Sequence, residues 1–270
     1  MRRVDGAAVG AVVRKDLLAV TRSKAVILPM LMVPALLLVV LPALIGLAAR
    51  GRTSPDISSF LDQLPGDLAA PITRLPQREQ LVVLVNGYLL APLFLIVPLM
   101  VSSVLAADAF AGEKERRTLE TLLHLPIDAR DLFLAKLLSA FLPAVAVSWG
   151  GFVCFAVVAN TVAWPVVHRV FVPTSLWLVV IFWVAPAVAA LGLGVMVRVS
   201  ARAKSAQEAN QLGGAVILPL IFLSVGQSSG LLLAPLPVAV AIGAVIWVIA
   251  IWLVRGGAKR FTRDQLASRV

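Results

Sequence analysis

The chain has 270 residues, 60% of them hydrophobic and only 14% charged, with a mean hydropathy of +0.96. A soluble domain of this length carries roughly a quarter charged residues, so the composition excludes a water-soluble fold and makes lipid the solvent for most of the surface. The net charge of +10 is spread in short basic blocks beside apolar runs, unlike the single basic, aromatic-rich patch of a nucleic-acid binder, and the lone Cys154 allows no internal disulfide.

Residues 1–24 are polar and basic, with Arg2, Arg3, Arg14, Lys15, Arg22 and Lys24. The apolar run that follows, 25–49, is too long for the core of a signal peptide and ends in no small-residue cleavage site, so it reads as a retained span. A helix needs about 20 apolar residues to cross roughly 30 Å of hydrocarbon. Six runs qualify: 25–49, 81–107, 137–163, 173–197, 212–228 and 231–254. Little more than "GQSSG" separates the last two, which form either a hairpin or short helices that turn back into the membrane.

With the N-terminus inside, all but five of the 24 Lys and Arg fall on the inner side; the five are Arg50, Arg52, Arg74, Arg78 and Arg169. That asymmetry places both termini in the cytoplasm. Prolines at 29, 34, 42, 92, 98, 143, 186 and 219 bend the spans. The polar residues at depth are Asn86, Ser102, Ser103, Ser148 and Asn160, the candidates for lining a pathway, with ordinary helix packing the plainer reading. No Asp, Glu, Lys or Arg lies well inside a span, whereas carriers driven by an ion gradient usually hold one there. The energy for moving a substrate is therefore expected from another source.

Between the second and third runs lies the densest charge in the chain, "AGEKERRTLETLLHLP" at 111–126. As a helix it sets Leu119, Leu122 and Leu123 on one side and Glu113, Lys114, Arg116, Arg117 and Glu120 on the rest, with i,i+4 pairs Glu113–Arg117 and Arg116–Glu120, and Pro126 stops it. A solvated connecting loop is the bland alternative. The wider stretch 108–140, "DAFAGEKERRTLETLLHLPIDARDLFLAKLLSA", resembles the cytoplasmic linker after the second span of type-2 ATP-binding-cassette (ABC) transporter permeases. The matching positions are Gly112, Glu113, Lys114, Glu115, Arg116, Thr118, Leu119, Glu120, Leu122, Leu123, Pro126 and Lys136, with Arg117 where the family more often has Gly. "RKDLLAVTRSKAVILPMLMVP" (14–34) is similar to the family's N-terminal interface helix, "SARAKSAQEANQLGG" (200–214) to its linker before the fifth span, and "RFTRDQL" (260–266) to its basic tail.

The resemblance implies an all-α membrane protein: an amphipathic interface helix in 1–24, a six-span domain over 25–254 with an outer loop at 50–80 and a coupling helix at 111–125, and a cytoplasmic basic tail at 255–270. It implies a permease of the plasma or inner membrane, mostly of exporters, that pairs with a second copy or a related permease and docks on two ATPase subunits. Gly112, Glu113, Lys114, Glu115, Arg116, Arg117, Thr118 and Glu120 would serve coupling, Glu113 and Glu115 in water against the ATPase, and Leu119, Leu122 and Leu123 would anchor the helix to the bundle. The chain has no G-x-x-x-x-G-K-[ST] phosphate loop, so ATP and magnesium belong to the partner and this chain is expected to bind no cofactor or metal and to catalyse nothing. Loop 50–80, rich in Pro and Gly, is too poor in apolar residues to fold alone, and reads as a lid over an exit or a plain connection. The rival readings are a membrane enzyme, for which no convergent nucleophile, base or metal set is visible, and a non-transporting structural or regulatory protein that recruits a soluble partner through 111–126.

Overall fold

A computed structural model describes residues 5–51, 57, 61–62, 70, 72–116, 127–203, 205–214 and 236–260. The described residues are helical apart from short turns and links and contain no strand. Helix α1 is Gly6–Arg22; α2 runs from Lys24 to Ala49, α3 is Gln77–Glu115, α4 is Ala129–Val167 and α5 is Ser175–Ser200. Helix α6 occupies 206–214 and α7 is Leu236–Arg260. Five of these, α2, α3, α4, α5 and α7, are long and apolar enough to cross a membrane. Of the six predicted crossings, the one at 212–228 lies mostly outside the described residues.

Several helices outrun their apolar runs. The run at 81–107 sits in a helix of 39 residues, as does that at 137–163, and the last span continues through Arg260 into what reads from sequence as a tail. Hydropathy marks the edge of hydrocarbon, whereas a helix ends only where its backbone finds a cap. His168 ends α4 in the left-handed region at φ 52°, its N–H donating to Trp164 O at 2.9 Å.

Four turns are π-wound: Leu36–Val40, Val85–Leu89, Asp108–Gly112 and Val180–Val184. Three have a cause in sequence. Proline cannot donate to the carbonyl four residues back and its ring pushes that carbonyl away; the residues four before Pro42, Pro92 and Pro186 are Leu38, Tyr88 and Phe182, one in each of these turns. Pro143 and Pro165, by contrast, sit within continuous α-helix. The turn at Asp108–Gly112 has no proline after it and needs another explanation.

Helix α5 packs on α3 and α7, and α4 on α1, α2 and α3. The core between α3, α4 and α5 centres on Trp177, with Phe155 at 4.6 Å and Phe94 at 5.5 Å between ring centroids. In the π-turn of α3 the Leu90 N–H reaches Val85 O, and the Asn86 carbonyl accepts the Trp177 indole N–H at 3.0 Å. Ser102 and Ser103 face Gly192, where a Cβ would stand 2.5 Å from Ser102 Oγ, so glycine permits the close crossing of α3 and α5.

Polar groups collect at two ends. At one, Arg50 donates to Val162 O at 2.6 and 2.9 Å and Arg169 pairs with Glu79 at 3.0 Å. From loop 50–80, Leu61 and Ile72 pack there against Leu84, and Leu61 N–H donates to Ile57 O at 2.9 Å. The opposite end carries α1 and the end of α3.

Candidate functional site

Helix α1 is started by Asp5, whose carboxylate accepts from Ala7 N and Ala8 N at 3.1 Å, while its own N–H donates to Asp131 Oδ2 of α4 at 3.1 Å. Val9, Val12 and Asp16 recur at helical spacing and form the buried stripe of α1, which packs on Leu132 and Ala135 of α4. A charged residue on an apolar stripe needs a buried partner. Asp16 finds Lys136 of α4, fully buried one turn beyond Leu132, with Nζ to Oδ2 at 2.9 Å.

Lys136 also donates to Glu113 Oε1, and Lys15 reaches Glu113 at 3.4 Å and Asp16 at 3.2 Å. Two cations and two carboxylates thus make a neutral cluster joining α1, α3 and α4. Burial lowers the affinity of the Lys15 amine for its proton, but Glu113 and Asp16 outweigh that effect and hold its pKa above the ordinary lysine value.

The next three residues each reach a different place. Lys114 donates to Ala203 O at 3.3 Å in the link after α5. Glu115 accepts from Ala206 N at 3.1 Å, so an acidic group sits at the positive N-terminus of α6. Ser205 caps the same helix by accepting from Glu208 N at 3.1 Å. Arg116 turns back to Asp108 at 3.0 Å. A Cβ on Gly112 would lie 2.8 Å from Asp108 Oδ1 and 3.2 Å from the Arg116 guanidinium, so glycine leaves room for that bridge. The bridge spans the π-turn Asp108–Gly112 and supplies a reason for it where no proline does.

This geometry corrects the sequence reading in two respects. Residues 111–115 do not open a separate amphipathic helix; they are the last turn of α3. Glu113 is not in water: it is 5% exposed and is the centre of the cluster. Arg116 pairs backward with Asp108, and its expected partner Glu120 lies outside the described residues, as do Arg117, Thr118, Leu119, Leu122 and Leu123. Sequence alone gives Lys15, Asp16 and Asp108 no role in the site and reads 200–214 only as a linker. The signal that finds Asp16 is its place on the Val9–Val12 stripe.

The candidate pathway residues are not brought together. Ser102 and Ser103 donate to Leu99 O at 3.0 and 2.6 Å, and Ser148 to Ala144 O at 2.7 Å, each within its own helix. Asn160 gives its amide to Ala156 O and Val172 O and accepts from Phe171 N, tying α4 to the link before α5. Asn86 differs, because its side-chain amide is fully buried and has no hydrogen-bond partner among the described residues.

Long lipid-facing helices with paired charges at both ends define a multi-pass α-helical membrane protein. The sequence profile of the ABC-2 family transporter protein matches residues 10–242, most of the chain, which therefore belongs to that family. It is accordingly an ABC transporter permease subunit, the membrane component of a system whose ATPase is in general a separate ABC protein. Among curated proteins none matches the chain significantly.

Proposed function

We propose that this chain is a six-span exporter permease in which residues 112–126 receive movement from a cytoplasmic ATPase and the charged cluster passes it into the bundle. The observation that carries the proposal is the division of labour within 113–116. Glu113 holds α1 and α4, Lys114 holds the link after α5, Glu115 holds the start of α6, and Arg116 stiffens the end of α3. A push on the segment after Arg116 is thereby shared among four helices instead of bending one. In this reading contact with the ATPase falls to Arg117, Thr118 and Glu120 and the exposed edge of Arg116, with ATP and magnesium on the partner. Glu113 and Glu115 transmit rather than dock.

Six crossings are supported by where the chain runs. Val9 of α1 and Arg255 of α7 line one cleft, so the chain begins and ends its membrane course at the same end. Helix α6 starts at that end beside Glu115, while Val240, early in α7, lies far from it and accepts from Trp183 Nε1 at 3.1 Å. Five crossings then leave one more to be made between 214 and Leu236. The basic excess supports a cytoplasmic position for this end, with α1 as interface helix, in the plasma or inner membrane. Two permeases, identical or related, would complete a two-fold pathway served by two ATPases. The test is ATP-driven transport by the reconstituted complex. Loss of transport with retained folding in Glu115→Ala and Arg117→Ala supports coupling; transport by the isolated permease without an ATPase would overturn it, and a complex that binds the ATPase but moves nothing would favour the structural reading.

A further inference from the structure

On the lipid-facing side, away from the charged cluster, α4, α5 and α7 leave an open cleft of about 450 Å³, within the size range of small-molecule sites. Leu134, Leu138 and Phe141 of α4, Leu193 of α5, and Ile251 and Val254 of α7 form its walls, and Val9 and Arg255 close one end. Leu138 and Ile251 are 38% and 42% exposed, so the cleft opens sideways to the membrane. From Phe141 back to Leu134, and from Trp247 to Arg255, the walls run roughly 10–12 Å at 1.5 Å per residue.

The closed end is basic. Arg255 is exposed, and Arg198 lies over the Trp252 ring at 4.5 Å and packs against Gly256 one residue beyond Arg255. Among the described residues neither arginine has a carboxylate partner. Trp252, 65% exposed, marks the level where hydrocarbon gives way to headgroups. An apolar trough that opens to lipid and ends at that level in Arg255, with Arg198 beside the adjoining Gly256, has the polarity of one molecule, an anionic phospholipid. A second copy of this chain, itself carrying +10, is a poor complement to a basic rim.

We infer that the cleft is a resident site for an anionic phospholipid, one acyl chain lying between α4 and α7 and the phosphate held by Arg255 and Arg198. The bound lipid joins α1 and α4 to the end of α7 and makes the permease sensitive to the charge of its leaflet. This inference stands on the cleft itself and does not depend on what the protein transports.

The test is native mass spectrometry of the full chain in neutral detergent, supplied with phosphatidylglycerol or with phosphatidylcholine of the same acyl chains. One phosphatidylglycerol per chain is retained, in preference to phosphatidylcholine by roughly fivefold for a surface cation. Arg255→Ala abolishes the preference, Arg255→Lys keeps most of it, and Leu138→Trp, which fills the trough, reduces retention of both lipids. Excess inorganic phosphate leaves the lipid in place. Equal retention of the two lipids by the unaltered chain, displacement by inorganic phosphate, or insensitivity to both Arg255→Ala and Leu138→Trp overturns the inference. So does a dimer mass that Leu138→Trp converts to monomer, which would give the cleft to a second copy.

Discussion

Lys136→Met is the sharpest test of the cluster, because it removes the central cation and keeps an apolar stem of similar length. Lys136 is fully buried and serves Asp16 and Glu113 together; without it the cluster goes from neutral to one net negative charge, with only Lys15 left to bridge the two carboxylates. Breaking a buried pair from one side costs about 3–5 kcal/mol because a charge is left uncompensated. Lys15, with half its side chain exposed at 52%, still reaches both acids, so the expected loss is at the lower limit, about 3 kcal/mol. At roughly 2–4 °C per kcal/mol for a chain of this size that is a fall of roughly 6–12 °C in Tm, measured in detergent for the permease alone. Adding Glu113→Gln to Lys136→Met should restore part of the loss, since the second change removes the stranded charge, and the double-mutant cycle should show coupling of about 1–3 kcal/mol. An unchanged Tm for Lys136→Met, or strictly additive effects of the two substitutions, would refute the cluster as a structural tie.

Glu113→Lys should fail to accumulate in the membrane, because Lys15, Lys136 and the new ammonium would face Asp16 alone; normal folded yield counts against burial of this site. Glu115→Ala should lower stability by only about 1 kcal/mol, the worth of a helix cap, while cutting ATP-driven transport several-fold in the reconstituted complex. Asn86→Leu should raise stability by about 1–2 kcal/mol by removing a buried amide that has no partner among the described residues; a fall in transport at the same time would show that Asn86 meets a partner in another conformation. The raised pKa of Lys15 implies stabilisation that is complete below the ordinary lysine value and fades as pH rises through the folded value. Thermal scans from pH 8 to 11 should therefore show an alkaline loss that Lys15→Met flattens, and identical profiles would remove Lys15 from the cluster.

Hydropathy alone carries the fold class: the apolar runs at 25–49, 81–107, 137–163, 173–197 and 231–254 each overlap one of the five long helices. Three of the four π-turns also follow from their prolines. The site was legible as a place but not as a geometry. Reading 111–126 as a helix of its own misses that α3 runs on through Glu115, and the π-turn at Asp108–Gly112 adds a residue to one turn and resets which side chains face inward. That reset turns Glu113 toward Lys136, a partner 23 residues away that no local pairing rule would choose.

Among the described residues, charges anchor this end. Physical chemistry favours that choice for a lever at the membrane surface. Leucines hold a helix to lipid without direction, since hydrocarbon contacts are nearly the same at every angle and slide easily, whereas Lys136 between Asp16 and Glu113 fixes three helices at set distances. The tie is also conditional, since its strength depends on staying dry: the same pairs weaken several-fold once water enters. A movement of 117–126 that opens the seam between α1 and α4 would loosen Lys136 and free α3 and α4 to part, while Lys114 and Glu115 still carry the link after α5 and the start of α6 with them. Glu113→Gln, which keeps the hydrogen-bonding shape and removes the charge, should then lower the ATP cost of opening and raise basal ATPase activity of the complex, the opposite of Glu115→Ala. If both substitutions simply abolish activity, the cluster is scaffold and the distinction between tie and transmitter fails.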